Sequence, residues 1–140
     1  MPRIFRAMVE DGQVPMIGHT DGAMLGVREC DVTIVEGLVQ PKRGGMSVSP
    51  TIADLPPHLI PKRLRAKYPD ARRGTTKPDT LPWRFGAGAF EAGPLCDKLV
   101  LTPDLEAVGH GYVETDLPMP LQEHRAAVEA TQPSWTQEQW

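Results

Sequence analysis

Three short patterns hold most of the residues in this chain that could do chemistry. In Arg3-Ile4-Phe5-Arg6-Ala7-Met8, the guanidinium of Arg6 is a planar fork that matches two oxygens of a phosphate. Alternatively, its stem simply covers a sheet edge. In Gly44-Gly45-Met46-Ser47-Val48-Ser49, alternation along a strand sends the hydroxyls of Ser47 and Ser49 to one face. Gly44 and Gly45 ahead of them either let a ligand approach the backbone or merely make a turn. In Gly109-His110-Gly111-Tyr112-Val113-Glu114, the same alternation puts His110, Tyr112 and Glu114 on one face. There an imidazole and a phenol could bond and stack against a ligand, or pack.

Motifs of higher specificity are missing. The sequence has no phosphate-binding P-loop, dinucleotide fingerprint, His-Glu-x-x-His or zinc spacing, and no Gly-x-Ser-x-Gly elbow. The four histidines, His19, His58, His110 and His124, include no i, i+4 pair, so no metal is expected. Cys30 and Cys96 are too few for a disulfide framework and too far apart for a Cys-x-x-Cys motif. They are read as small apolar fillers rather than nucleophiles.

The elements that must position these side chains are short, and strands outnumber helices. Arg3 to Met8 reads as a first strand stopped by the Asp11-Gly12 turn. Val14 to Glu29, broken by Pro15, Gly18, Gly22 and Gly26, suits short strands or loops. The β-branched run Val32-Thr33-Ile34-Val35 should pair. Met46 to Ser49 is a strand stopped by Pro50, and Pro61 opens a short basic helix over 61–68. Asp70 to Pro82 reads as a mobile loop suited to a lid, and Gly86 to Pro94 as a tight connection. Trp83-Arg84-Phe85, Leu99-Val100-Leu101 and Gly109 to Glu114 are further strands, with Trp83 and Phe85 in the core and Arg84 facing away. A final helix after Pro120 ends before Pro133, and the tail from Ser134 either hangs free or packs back through Trp135 and Trp140.

With 140 residues the chain is one domain, 1–133, plus a tail, 134–140. Its 15 prolines require much irregular backbone. No apolar run approaches the roughly 20 residues of a membrane span, and Met1 to Met8 has no apolar stretch of the export type, so a cytoplasmic setting is expected. The net charge of −3 hides a basic waist: ten Lys/Arg against three Asp/Glu between Lys42 and Arg84. Such a strip attracts phosphate-bearing or acidic partners, or pairs with the acidic remainder.

Taken in order, Phe5-Arg6, the Gly44 to Ser49 segment, Leu55-Pro56-Pro57-His58-Leu59, and His110-Gly111-Tyr112 with Met119-Pro120 before the last helix resemble the ADP-ribosyltransferase-like toxic effectors of the bacterial type VI secretion system. The resemblance implies an α+β fold, with a compact split β-sheet core, short helices and a C-terminal helix. It implies that NAD is bound, as substrate, by Arg6, Gly45, Ser47, Ser49, His110 and Tyr112. Arg6, Ser47 and Glu114 would then be catalytic, the Glu114 carboxylate stabilising the oxocarbenium-like cation formed as ADP-ribose is transferred. The effector would be cytoplasmic, in the producing cell or in the target cell after delivery by a secretion machine, would act on an intracellular target in a bacterial competitor, and would be neutralised by a cognate immunity protein. The other reading is a phosphate, nucleic-acid or acidic-partner binding module that uses the basic 42–84 segment without chemistry.

Overall fold

A computed structural model describes residues 1–64, 66–68 and 79–140. The first strand, β1 (Ile4–Met8), is buried at every position. Its run of apolar residues does not alternate because both faces are covered. The Asp11-Gly12 turn closes a small hairpin of β2 (Glu10–Asp11) and β3 (Val14–Pro15), with Gly12 at φ 69°. Val32 to Val35 contributes only β4 (Ile34–Val35), paired with β5 (Leu38–Val39) across a Glu36-Gly37 turn in which both residues have positive φ. Next come β6 (Met46–Val48) and three single-turn 3₁₀ helices, Ile52–Asp54, Pro57–Leu59 and Lys62–Leu64.

Of the helix expected over 61–68, the described residues form a 3₁₀ turn at Lys62–Leu64, opened by Pro61, whose carbonyl accepts from Leu64 N at 3.0 Å; Leu64 O in turn accepts from the Lys67 and Tyr68 amides at 3.0 and 2.9 Å. Most of the expected lid, 70–78, lies outside the described residues. Its end, Pro82, belongs to β7 (Leu81–Phe85).

The second half contains β8 (Gly93–Cys96), β9 (Leu99–Pro103) and β10 (Gly111–Thr115). It ends with the helix α1 (Leu121–Glu129) and β11 (Thr136–Gln137). The strand β8 begins inside the stretch read as a tight connection. Pro94 is tolerated because β8 is the edge of its sheet.

Two antiparallel sheets result, ordered β1-β7-β11 and β6-β10-β9-β8. Their edge strands meet at one point, where Phe5 and Ser49 exchange backbone hydrogen bonds of 2.8 and 2.9 Å. On one side of this curved pair lies the main core of Ile4, Met8, Met46, Val48, Trp83, Phe85, Leu99, Leu101, Val113 and Val128. The other side of β1 carries a second cluster of Phe5, Ala7, Leu55, Ile60 and Trp140. The tail is thus docked: Trp135 and Trp140 are buried, and β11 pairs with β7. Arg84 faces away from the core, as expected, and pairs with Glu138 at 2.8 Å. Cys30 is exposed and Cys96 half-buried, so neither is a fully buried filler. Among the described residues no helix is long and apolar enough to cross a membrane.

Candidate functional site

The backbone ladder between β1 and β6 lasts for a single bridge, and the side chain of Arg6 takes over where it stops. Its Nη1 donates to the Ser47 carbonyl at 2.6 Å, Nε to Met24 O at 3.1 Å, and Nη2 to Gly22 O and Met24 O at 3.0 and 2.9 Å. Four donations use most of a guanidinium's five N–H groups. Arg6 therefore ties the 22–24 loop to the serine strand. Burial pulls its pKa down to about 10, with Asp31 opposing and Arg28 adding to the shift, so it stays a cation at neutral pH.

Beside this clamp opens a cavity of about 140 Å³. Phe5, Arg6 and Ala7 form its floor, Ser47 and Ser49 one wall, and Leu55, Pro56 and His58 another; His110 and the pair Arg28 and Asp31 complete it. Five segments of the chain therefore meet here. The volume is about half the ~300 Å³ at which small-ligand pockets usually begin, so it takes a ring or a phosphate and leaves the rest of a larger ligand over the mouth. Arg28 is committed to Asp31 through Nη2 at 2.9 Å and Nε at 3.2 Å, a bond that raises its pKa. Ser49 Oγ donates to Asp54 O at 3.3 Å.

His110 is held from two sides. Its Nδ1 lies 3.2 Å from Asp104 Oδ2, and its ring meets Tyr112 edge-on at 4.6 Å between centroids. The Glu106 amide and His110 together keep the Asp104 carboxyl below the usual carboxylate range. Burial and the nearby charges of Asp104 and Glu114 push the Tyr112 phenol up. Tyr112 stands opposite Ser47 across the β6–β10 ladder, behind His110 rather than in the cavity wall.

Gly45 and Glu114 are placed differently from their sequence reading. A Cβ on Gly45 would come within 2.0 Å of the Val113 carbonyl, so this glycine admits the neighbouring strand rather than a ligand. Glu114 is 1% exposed and accepts a hydrogen bond from Gly44 N at 2.8 Å. It is bonded to Gly44 and is not among the cavity residues.

The sequence reading missed Arg28, Asp31 and Asp104. The i, i+3 spacing of Arg28 and Asp31 was a usable signal. Asp104 offered only a turn former six residues before His110. A larger hollow of about 340 Å³ lies between Phe85, the Cys96 to Lys98 turn and α1. Its Lys98 and Glu123 neutralise each other at 2.8 Å, and burial pushes the Cys96 thiol up, so it contains no activated nucleophile. Among the described residues no cluster of His, Cys, Asp and Glu could hold a metal ion.

No family model, curated protein or solved structure matches this chain.

Proposed function

We propose that this chain is an NAD-binding toxin domain of the ADP-ribosyltransferase-like kind, with the Arg6 cavity receiving the nicotinamide riboside end of NAD and ADP-ribose passing to an intracellular target. The observation that carries the reading is convergence. Arg6, Ser47, Ser49, His58 and His110, which lie on four of the segments that carry the family resemblance, line one small cavity. Two antiparallel sheets joined at a single bridge, with a C-terminal helix on the core, fit the split β-sheet expected of such domains. In this reading the domain acts in the cytoplasm of a bacterial competitor after type VI delivery and is neutralised by a cognate immunity protein.

The non-catalytic alternative is weaker because part of the basic segment is already spent. Arg84 pairs with Glu138, Arg63 with Asp79, and Lys67 donates to the Trp140 main-chain oxygen.

The test is NAD-dependent thermal stabilisation of the purified chain. A ligand at 100 times its Kd adds about 2.7 kcal/mol to stability, a readily measured rise in Tm. Ser47→Tyr, which fills the cavity from a half-buried position, should abolish the rise. Wild-type protein that melts at the same temperature with and without millimolar NAD would overturn the reading. Growth arrest on expression in a bacterium, relieved by Ser47→Tyr, would extend it to toxicity.

A further inference from the structure

We propose that His110, positioned by Asp104, is the general base of the Arg6 cavity, and that with water as acceptor the cavity releases nicotinamide from NAD. The proposal deepens the NAD reading and rests on it.

It follows from asking which group at the cavity can take a proton. Guanidinium groups cannot, which removes Arg6 and Arg28. Asp31 accepts three hydrogen bonds from Arg28, from its backbone N at 2.9 Å and from Nε and Nη2 at 3.2 and 2.9 Å. Glu114 is buried under Gly44. His58 stands exposed on the Pro57–Leu59 turn with no carboxylate paired to it among the described residues. Among the described residues that line the cavity, His110 alone is a base that a second group orients.

The orienting group is itself fixed. Asp104 Oδ1 accepts from Glu106 N at 2.9 Å, and the Asp104 amide donates to His110 O at 2.9 Å, closing the 104–110 loop onto the end of β10. The carboxylate holds the proton on Nδ1, which leaves the lone pair on Nε2. An imidazole held by a carboxylate in this way is a general base, the arrangement that activates hydroxyl nucleophiles elsewhere.

The step balances without a further reagent. The C1′–N bond of the nicotinamide riboside breaks, and its electron pair leaves with nicotinamide, which becomes neutral and needs no acid. The oxygen of water bonds to C1′, and its proton passes to His110 Nε2 and then to solvent. The products are ADP-ribose, nicotinamide and one proton.

The experiment measures nicotinamide release and NAD-induced thermal shift on the same purified proteins. Wild type should release nicotinamide with no added acceptor. His110→Asn keeps a donor for Asp104 but has no base, and its kcat should fall about 100-fold. Asp104→Asn should lose about tenfold in kcat, with KM, Tm and the NAD-induced shift unchanged, a split that a purely structural role would not produce. Should His110→Asn fail to fold, His110→Gln and Asp104→Asn carry the same test. Release at the wild-type rate by a folded His110 variant overturns the proposal, as does a wild type that binds NAD and releases nothing. A wild type that shows no shift with NAD overturns the NAD reading instead, and with it the substrate assigned here.

Discussion

Gly44 N donates to Glu114 Oε2 at 2.8 Å, whereas the other oxygen of that carboxylate, Oε1, is buried without a hydrogen-bond partner. The bond fastens the start of the serine strand to β10, where Gly44 holds φ 104° and has the Asp31 carbonyl 2.3 Å from the position of a Cβ. Glu114→Ala leaves the half-buried Gly44 amide without its carboxylate partner and should cost about 1–3 kcal/mol. Glu114→Gln keeps an acceptor for Gly44 and gives the orphaned side an N–H in place of a charged oxygen, so it should cost less. Urea unfolding of the three proteins checks the ranking; equal losses for Ala and Gln would show that the Gly44 bond is not what matters.

Arg6 and Arg28 stand at the same cavity but should differ in how much stability the change to Lys costs. Arg6→Lys removes a planar fork that serves three half-buried carbonyls, and an ammonium cannot reach Gly22, Met24 and Ser47 together; a loss of about 1–3 kcal/mol follows. Arg28 is 43% exposed in its pair with Asp31, and Arg28→Lys should cost under about 1 kcal/mol. Chemical denaturation at neutral pH measures both. An Arg6→Lys protein as stable as wild type would mean that the clamp contributes little.

The strands holding the site were legible because local chemistry decides them. β1, β6, β9 and β10 carry β-branched or apolar alternation, and α1 begins after Pro120 and ends before Pro133 as its residues require. What failed was where tertiary context overrides local signals. Pro94 argued against β8, but an edge strand has spare positions for a residue without an N–H. The basic 62–67 run looked helical, and its described residues form a 3₁₀ turn at Lys62–Leu64 followed by amides of Lys67 and Tyr68 that donate to Leu64 O. At the site, the sequence identified which residues carry functional groups but not their partners. That Arg6 would spend its donors on carbonyls up to 41 positions away, or that Asp104 would fold back onto His110, depends on loop geometry with no periodic signature.

The tail contributes to the cavity's support. Trp140 is 9% exposed, donates from Nε1 to Thr80 O at 2.8 Å, and packs with Phe5, Ala7, Leu55 and Ile60 behind the cavity floor; its ring also meets Tyr68 edge-on at 5.8 Å. Trp140→Ala should cost about 3 kcal/mol, the lower end for losing a buried indole. Because Phe5 and Leu55 also line the cavity, NAD-induced stabilisation should shrink in the same variant. Thermal melts with and without NAD measure both effects, and an unchanged Tm would show the tail to be dispensable.

His124 gives the fold an acid-sensitive point outside the cavity lining. It lies on α1 at 0% exposure with neither ring nitrogen bonded, and burial, reinforced by Arg125 and His19, pulls its pKa from 6.5 to about 4. The unfolded chain therefore binds a proton at this residue below about pH 6.5, while the folded chain resists until about pH 4. Stability is full above pH 6.5 and is lost as pH falls through that window, by about 3 kcal/mol from this one group. His124→Phe removes the titrating ring at similar volume and leaves no polar atom to satisfy. It should match or exceed wild-type stability at pH 7 and lose about 3 kcal/mol less between pH 7 and pH 4. Urea midpoints at the two pH values decide the matter: parallel losses in both proteins would mean that His124 is protonated in the fold with a partner or water at hand.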